Sequence, residues 1–270
     1  MELYATLETL LTAPIPSEKI ALFREFYEAY REGKITRNPQ TAPAVFDEPS
    51  YCGFCTVTDP KEVPRRNNLK TAQGQILLLH AIAHIEYSAI DLALDAVYRF
   101  REAGESFEQD WLVVADDEVR HFEMIEALLN ELGSFYGEYP VHDALFEASM
   151  RTLNFTERMA VVPRYLEANG LDATPQILRK LYPCRNDPMI QKIIAALHII
   201  LDEEIDHVRK GDRWFEAACK KEGRDTSCYF EIIERHYPGS FPRKIEINCE
   251  ARRQAGFENG ELEKISLNKC

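Results

Sequence analysis

Residues 111–125, WLVVADDEVRHFEMI, and residues 201–211, LDEEIDHVRKG, each contain the word Glu-x-x-His: Glu118 with His121, and Glu204 with His207. On an α-helix, side chains three residues apart share a face, so each word aims a carboxylate and an imidazole at whatever that face covers. An exposed Glu-x-x-His is commonplace, and the surroundings decide its meaning. Trp111, Val114, Phe122, Ile125, Leu128 and Leu132 recur at helical spacing around the first word. Ile193, Leu197, Ile200, Val208, Phe215 and Ala218 do the same around the second. Both words therefore fall inside or at the edge of an apolar arc. A carboxylate buried there needs a cation or a hydrogen-bond partner, or it protonates.

A paired iron or manganese site in a four-helix bundle takes one Glu from each of two helices and one Glu-x-x-His from each of the other two. Two further carboxylates are therefore expected, one before the first word and one between the words. In LLLHAIAHIEYSAIDLALDAVYRF, residues 77–100, Glu86 shares a face with Leu79, Ile82, Ala89, Ile90, Ala93 and Val97 and is the deepest acid. The stretch VHDALFEASMRTLNFTERMAVVPRYLEANG, residues 141–170, offers Glu147, Glu157 and Glu167. Phe155, Met159, Val162 and Leu166 define its apolar stripe; Glu167 projects roughly 100° from the stripe's centre and Glu157 roughly 180°. Glu167 is preferred, with Glu157 as the alternative. Pro163 is expected to remove one helical hydrogen bond and kink the chain just before Glu167. The order Glu86, Glu118–His121, Glu167, Glu204–His207 predicts an all-α, ferritin-like four-helix bundle. The long run between His121 and Glu167 suits the one long crossover of that architecture.

The segments HAIAHIEYSAIDLALD, WLVVADDEVRHF, RMAVVPRYLEANGLD and NCEARRQAGF resemble an uncharacterised bacterial ferritin-like family, "domain of unknown function" 455, from about Pro64 to Phe257. The resemblance supports Glu167 over Glu157, because the run LEA-x-G-L-D is the part that matches. The ligand pattern is also similar to that of the hydroxylase that modifies a tRNA adenosine side chain. That enzyme's third ligand helix reads EAR where this chain has Glu167-Ala168-Asn169. The family brings no assigned reaction, so function is argued from the chemistry of the site.

Four carboxylates and two imidazoles form a hard to borderline donor set. It suits two iron ions, with manganese or a mixed iron–manganese pair as variants and zinc less favoured. Such a pair can activate dioxygen to oxidise or hydroxylate a small or base-sized substrate, whose identity and electron donor the sequence leaves open. Iron handling as in ferritins, and a metal-free polar network, are the competing classes. Asp117 and Glu203 each precede a ligand Glu and could hold the outer nitrogen of a ligand histidine; exposure to solvent is the plainer reading. His84 could touch the site, although most helix histidines, His80 included, are hydrogen-bonded packing residues. Tyr87 and Tyr98 could be redox-active near a metal pair, yet in a chain with twelve tyrosines packing is the ordinary role.

Cys52-Gly53-Phe54-Cys55 has the spacing of a redox dithiol, of half a zinc site, or of two loop thiols; no second Cys-x-x-Cys follows. Cys184, Cys219, Cys228, Cys249 and Cys270 are scattered singly. With an odd cysteine total and neither a signal peptide nor a membrane-spanning apolar run apparent, a reducing cytoplasm is expected. A net charge of −13 argues against general nucleic-acid binding, which needs a basic surface. Arg65–Arg66, Arg243–Lys244 and Arg252–Arg253 read as solvated or acid-paired surface elements. The chain divides into N-terminal helices with a wrapping segment (1–66), the bundle (67–222) and a C-terminal extension (223–270), in a monomer or small homo-oligomer. The N-terminal part reads as two amphipathic helices parted by Pro14 and Pro16, with Ser17 as N-cap. An irregular segment is expected from about Thr36 to Arg66, and an irregular tail, with a short helix around Phe230 to Arg235, after Lys221.

Overall fold

The computed structural model describes residues 1–38, 42–268 and 270, and it is all-α; among these residues there is no strand, only isolated backbone bridges. Residues 39–41 of the expected irregular segment lie outside the described residues. The chain forms two compact units, residues 1–147 and 148–270. That boundary falls within the span 67–222 that the sequence presents as one bundle.

The first unit is organised by α3 (Ala72–Arg99) and α4 (Glu105–Glu131), joined by a short turn into a hairpin. Thr71 caps α3, its hydroxyl accepting from the Gly74 amide at 3.2 Å. Leu79, Ala83, Ile90 and Leu94 of α3 and Leu112, Ala115, Phe122 and Ile125 of α4 are fully buried, which is the interface that the helical periodicity anticipates. By length and apolarity α3 is able to cross a membrane, contrary to the sequence expectation that no such run exists. Its apolar window is, however, 78% buried inside the protein, which is how a core helix passes the same test.

α1 (Leu3–Thr12) and α2 (Pro16–Arg31) pack on this hairpin. Pro16 occupies the first position of α2, so Ile15 rather than Ser17 precedes the helix and no side chain caps it. Lys19 of α2 is fully buried. Its ammonium pairs with Asp91 of α3, donates to Ser50 Oγ at 2.7 Å, and lies 4.7 Å from the centroid of the Tyr87 ring. Ser50 in turn donates to Asp91 at 2.6 Å, so each charged or polar group is satisfied. The segment 42–71 is irregular apart from a 3₁₀ turn, Ser50–Gly53.

The second unit begins within α5 (Ala144–Arg151) and continues through α6 (Phe155–Val161), a π-helical turn (Val162–Glu167) and α7 (Ala168–Leu181) to the long α8 (Pro188–Glu222). The disturbance expected at Pro163 is thus a local widening of the helix rather than a simple kink. Gly211 of α8 faces it: a Cβ at that position would lie 2.3 Å from Pro163 Cβ, so the proline ring occupies the space that only glycine leaves. After Glu222 come α9 (Cys228–His236), α10 (Cys249–Gln254) and α11 (Asn259–Ile265). The tail is therefore more helical than its weak periodicity suggests.

The tail is held by buried charge. Asp172 of α7 accepts from Arg252 at 3.0 and 2.7 Å and lies 3.2 Å from Arg243. Arg252 is 1% exposed and Asp172 2%. Arg252 is thus acid-paired as expected but is interior, not a surface element. Arg164, in the π-helical turn, donates to Asp212 of α8 at 2.5 Å and to both oxygens of Glu261 of α11 at 2.8 and 2.9 Å. Its guanidinium lies 4.2 Å from the Tyr229 ring centroid and 4.6 Å from that of Phe257. Cys249 and Cys270 form a disulfide, and the Cys219 and Cys228 sulfurs lie 3.6 Å apart, so four cysteines that read as isolated are paired in space.

Candidate metal centre

In the first unit, Glu86 of α3 and Glu118 and His121 of α4 converge. Residues three and four apart turn each helix's ligand face inward, and the hairpin packing sets those faces against each other. His121 Nδ1 lies 3.3 Å from Glu86 Oε2 and 3.5 Å from Glu118 Oε2. One donor atom from each residue lies within 4.8 Å of the other two, a separation that a single ion can bridge. His121 is fully buried, and Glu118 and Glu86 are 1% and 4% exposed.

The electrostatics show what the pocket favours. Burial alone would push the His121 imidazole down, but the Glu118 and Glu86 carboxylates outweigh it and raise it to about 11. Two buried carboxylates thus demand a positive charge beside them, and in the metal-free chain a proton on Nδ1 provides it. A divalent cation would satisfy the same demand more fully, with neutral His121 as a ligand. The donor set is oxygen and imidazole nitrogen without thiolate, which suits a hard to borderline divalent cation.

The second unit presents its word in the same way. His207 is fully buried on α8, and its Nδ1 lies 3.6 Å from Glu204 Oε1; the Glu204 side chain is 14% exposed. The two words therefore share one local geometry, with Nδ1 as the atom turned toward the carboxylate. Glu167 ends the π-helical turn, half-buried, with one carboxylate oxygen shielded from solvent. Its competitor Glu157 takes Arg235 at 2.5 Å and His236 at 3.0 Å, so its carboxylate is committed to α9.

Residues flanking the candidate ligands have their own surroundings. Asp117 takes Arg120, one turn on in α4, at 2.5 Å, and Glu203 is half-buried on α8. His84 is anchored elsewhere: Nδ1 lies 2.9 Å from the Tyr136 hydroxyl and Nε2 2.6 Å from the His142 carbonyl. The carbonyl can only accept, so Nε2 carries the proton and Nδ1 accepts from Tyr136. His80 Nε2 accepts from the Gly137 and Tyr139 amides at 3.0 and 3.3 Å. Burial pushes both imidazoles down to about 4.

Sequence reading did not single out Arg164, Asp212 or Glu261, which fix the backbone leading to Glu167. Arg164 lies three residues before Glu167, but nothing local distinguishes an arginine that will be buried from one that will be solvated. Its partners come from α8 and α11, far along the chain.

A model of a family described as "Protein of unknown function (DUF455)" matches residues 12–263. An uncharacterized protein from Haemophilus influenzae (strain ATCC 51907 / DSM 11121 / KW20 / Rd) is 37% identical over 276 residues, covering 98% of this chain and 93% of that protein. No solved structure matches.

Proposed function

The chain belongs to DUF455, a family of proteins of unknown function, and from that premise we propose that it is a di-metal carboxylate protein of ferritin-like design that activates dioxygen. Glu86, Glu118, His121, Glu167, Glu204 and His207 are the proposed ligands, and two iron ions the proposed metals, with manganese as the variant. The observation that carries this reading is the buried Glu86–Glu118–His121 cluster, whose carboxylates hold positive charge on His121. The repeated word Glu204–His207, with the same Nδ1-to-carboxylate geometry, supports it.

When bound, such a metal pair supplies redox electrons to dioxygen and so permits oxidation or hydroxylation of a small or base-sized substrate. The protein's own residues do the rest. Glu86 and Glu118 would neutralise the cation charge, and His121, once its Nδ1 proton was released, would be a neutral ligand. Phe122, Val119, Ile90 and Ile125 are buried beside these groups and keep bulk water from them. Arg164 and Asp212 hold the π-helical turn and thereby the backbone of Glu167.

Elemental analysis of the purified chain tests the reading, with about two iron or manganese ions per chain expected for a site of this ligand class. Glu118→Ala and His207→Ala should each lose metal from one or both positions while keeping a helical far-UV spectrum. Unchanged metal content in either variant removes that residue from the site. A chain that binds neither metal leaves only the metal-free network.

A further inference from the structure

The metal centre uses neither Cys52 nor Cys55, and both are free thiols. The chain from Tyr51 to Cys55 closes one helical turn: the amides of Phe54 and Cys55 both donate to the Tyr51 carbonyl, at 3.2 and 2.8 Å. The two cysteines stand three residues apart in sequence, the spacing of a redox dithiol. Cys52 is half-buried and Cys55 is buried, so the pair spans the step from surface to interior.

Inward of Cys55 lies a cluster of aromatic rings. Cys55 lies beside the Tyr136–Gly137 step, where a Cβ on Gly137 would meet the Cys55 sulfur at 3.9 Å. The Tyr136 ring lies 5.3 Å from both Tyr87 and Phe122, which are 5.1 Å from each other. Phe54, between the two cysteines in sequence, lies 5.5 Å from Tyr87 and 5.4 Å from Tyr136. Tyr87 immediately follows Glu86 on α3, and Phe122 immediately follows His121 on α4. The rings therefore run without a gap from the dithiol to the neighbours of ligands on both helices, all inside the first unit. Packing alone would be served as well by rings and side chains without polar groups. Burying two phenols and a thiol carries a desolvation cost that apolar residues avoid.

We propose that Cys52 and Cys55 are a redox dithiol that supplies two electrons to the metal centre through Tyr136, Tyr87 and Phe122. The inference rests on the metal-centre reading above and names the donor side of that site. Two S–H bonds break, one S–S bond forms, and two protons pass to water. The two electrons return two trivalent metal ions, oxidised by dioxygen, to the divalent state. An external dithiol then reduces the disulfide by exchange. Burial pushes Cys55 up to about 11 and Cys52 upward as well, so neither is a ready thiolate at neutral pH. Direct oxidation by dissolved peroxide is correspondingly slow, which leaves the route through the rings to dominate.

The test begins with the full chain, fully reduced, loaded anaerobically with iron(II), given a measured pulse of dioxygen, and quenched with an alkylating reagent. Peptide mass mapping should find a Cys52–Cys55 disulfide rising in step with iron oxidised, and none over the same time in the metal-free chain. Tyr136→Phe should slow disulfide formation by about tenfold, one factor of ten in rate, while iron content and the oxidation of iron by dioxygen stay as in the parent. Thiols that remain reduced while iron is bound and oxidised would overturn the inference and leave the metal centre standing. So would a disulfide that forms equally fast without metal. A chain that binds no iron overturns both.

Discussion

The two units place the same Glu-x-x-His word on a helix by different physical means. In the first, α3 and α4 are uninterrupted helices, and Glu86, Glu118 and His121 are oriented by a continuous apolar interface. In the second, the helix that brings in Glu167 contains a π-helical turn around Pro163, and its backbone is held by Arg164, Asp212, Glu261, Asp172 and Arg252. Apolar packing is forgiving, because it is spread over many contacts that each contribute little. Buried ion pairs concentrate the same task in a few atoms, and losing one partner strands a charge in a low dielectric. The lesson is that two halves with one sequence signature should differ sharply in how they fail.

The largest expected effect breaks that comparison on the second side. Asp172→Ala leaves Arg252 buried beside no carboxylate and should cost about 3–5 kcal/mol, the usual penalty for removing one partner of a buried pair. Calorimetry should show the loss in the transition of the second unit; a change below 1 kcal/mol, roughly that of a surface pair, would mean that the charge is solvated after all.

Acid should break the first side instead. His80 and His84 are pushed down to about 4 in the folded chain, against an ordinary value near 6.5, so between those limits the unfolded state binds more protons. The stability owed to these two imidazoles should therefore be fully present above pH 6.5 and fall as pH drops toward 4, by on the order of 3 kcal/mol for each. Urea midpoints measured from pH 7 to pH 4 check this, and His84→Gln should flatten part of the slope. A slope of opposite sign would mean that the imidazoles are held charged.

Gly211→Ala sharpens the contrast, because its sign is informative. In an open helix the change stabilises by up to about 1 kcal/mol, whereas against the Pro163 ring it should destabilise by about 1–3 kcal/mol. A raised Tm would show that the close approach of Pro163 and Gly211 does not exist. The smallest effects come from a matched pair of helix caps, Thr71 on α3 and Asp187 on α8, whose side chains accept from amides at 3.2 and 2.8 Å. Alanine at either should cost about 1 kcal/mol, each in its own unit. Equal shifts of both transitions by either variant would argue that the units unfold together.

What could be read from the sequence follows the same division. Helices α3, α4 and α8 and the inward direction of Glu86, Glu118, His121 and His207 were legible, because a period of 3.6 is written in neighbouring residues. The helix that carries Glu167 was only half legible: Pro163 announced a disturbance, but whether the chain kinks or widens depends on Gly211, almost fifty positions away. Arg252 looked like a surface charge because its partner Asp172 lies eighty residues earlier. Lys19 gave no sign of the interior, since Asp91 and Ser50 become its neighbours only after folding. The tail helices α10 and α11 are too short for periodicity to declare them, and they persist because Asp172 of α7 and Arg164 of the π-helical turn give Arg252 and Glu261 somewhere to dock.

The Cys249–Cys270 link has a consequence for the environment in which the chain works. It closes a ring of about twenty residues that carries α11, so it shrinks the unfolded ensemble of that segment and favours the folded tail by about 3 kcal/mol in a chain-entropy account. In a reducing compartment the ring opens, and the arm that carries Glu261 is held only by its ion pair and by the packing of Leu262 and Ile265. Arg164 then keeps its second carboxylate only as long as the arm stays down, which makes the poise of the surrounding thiol pool a dial on the lifetime of the backbone beneath Glu167.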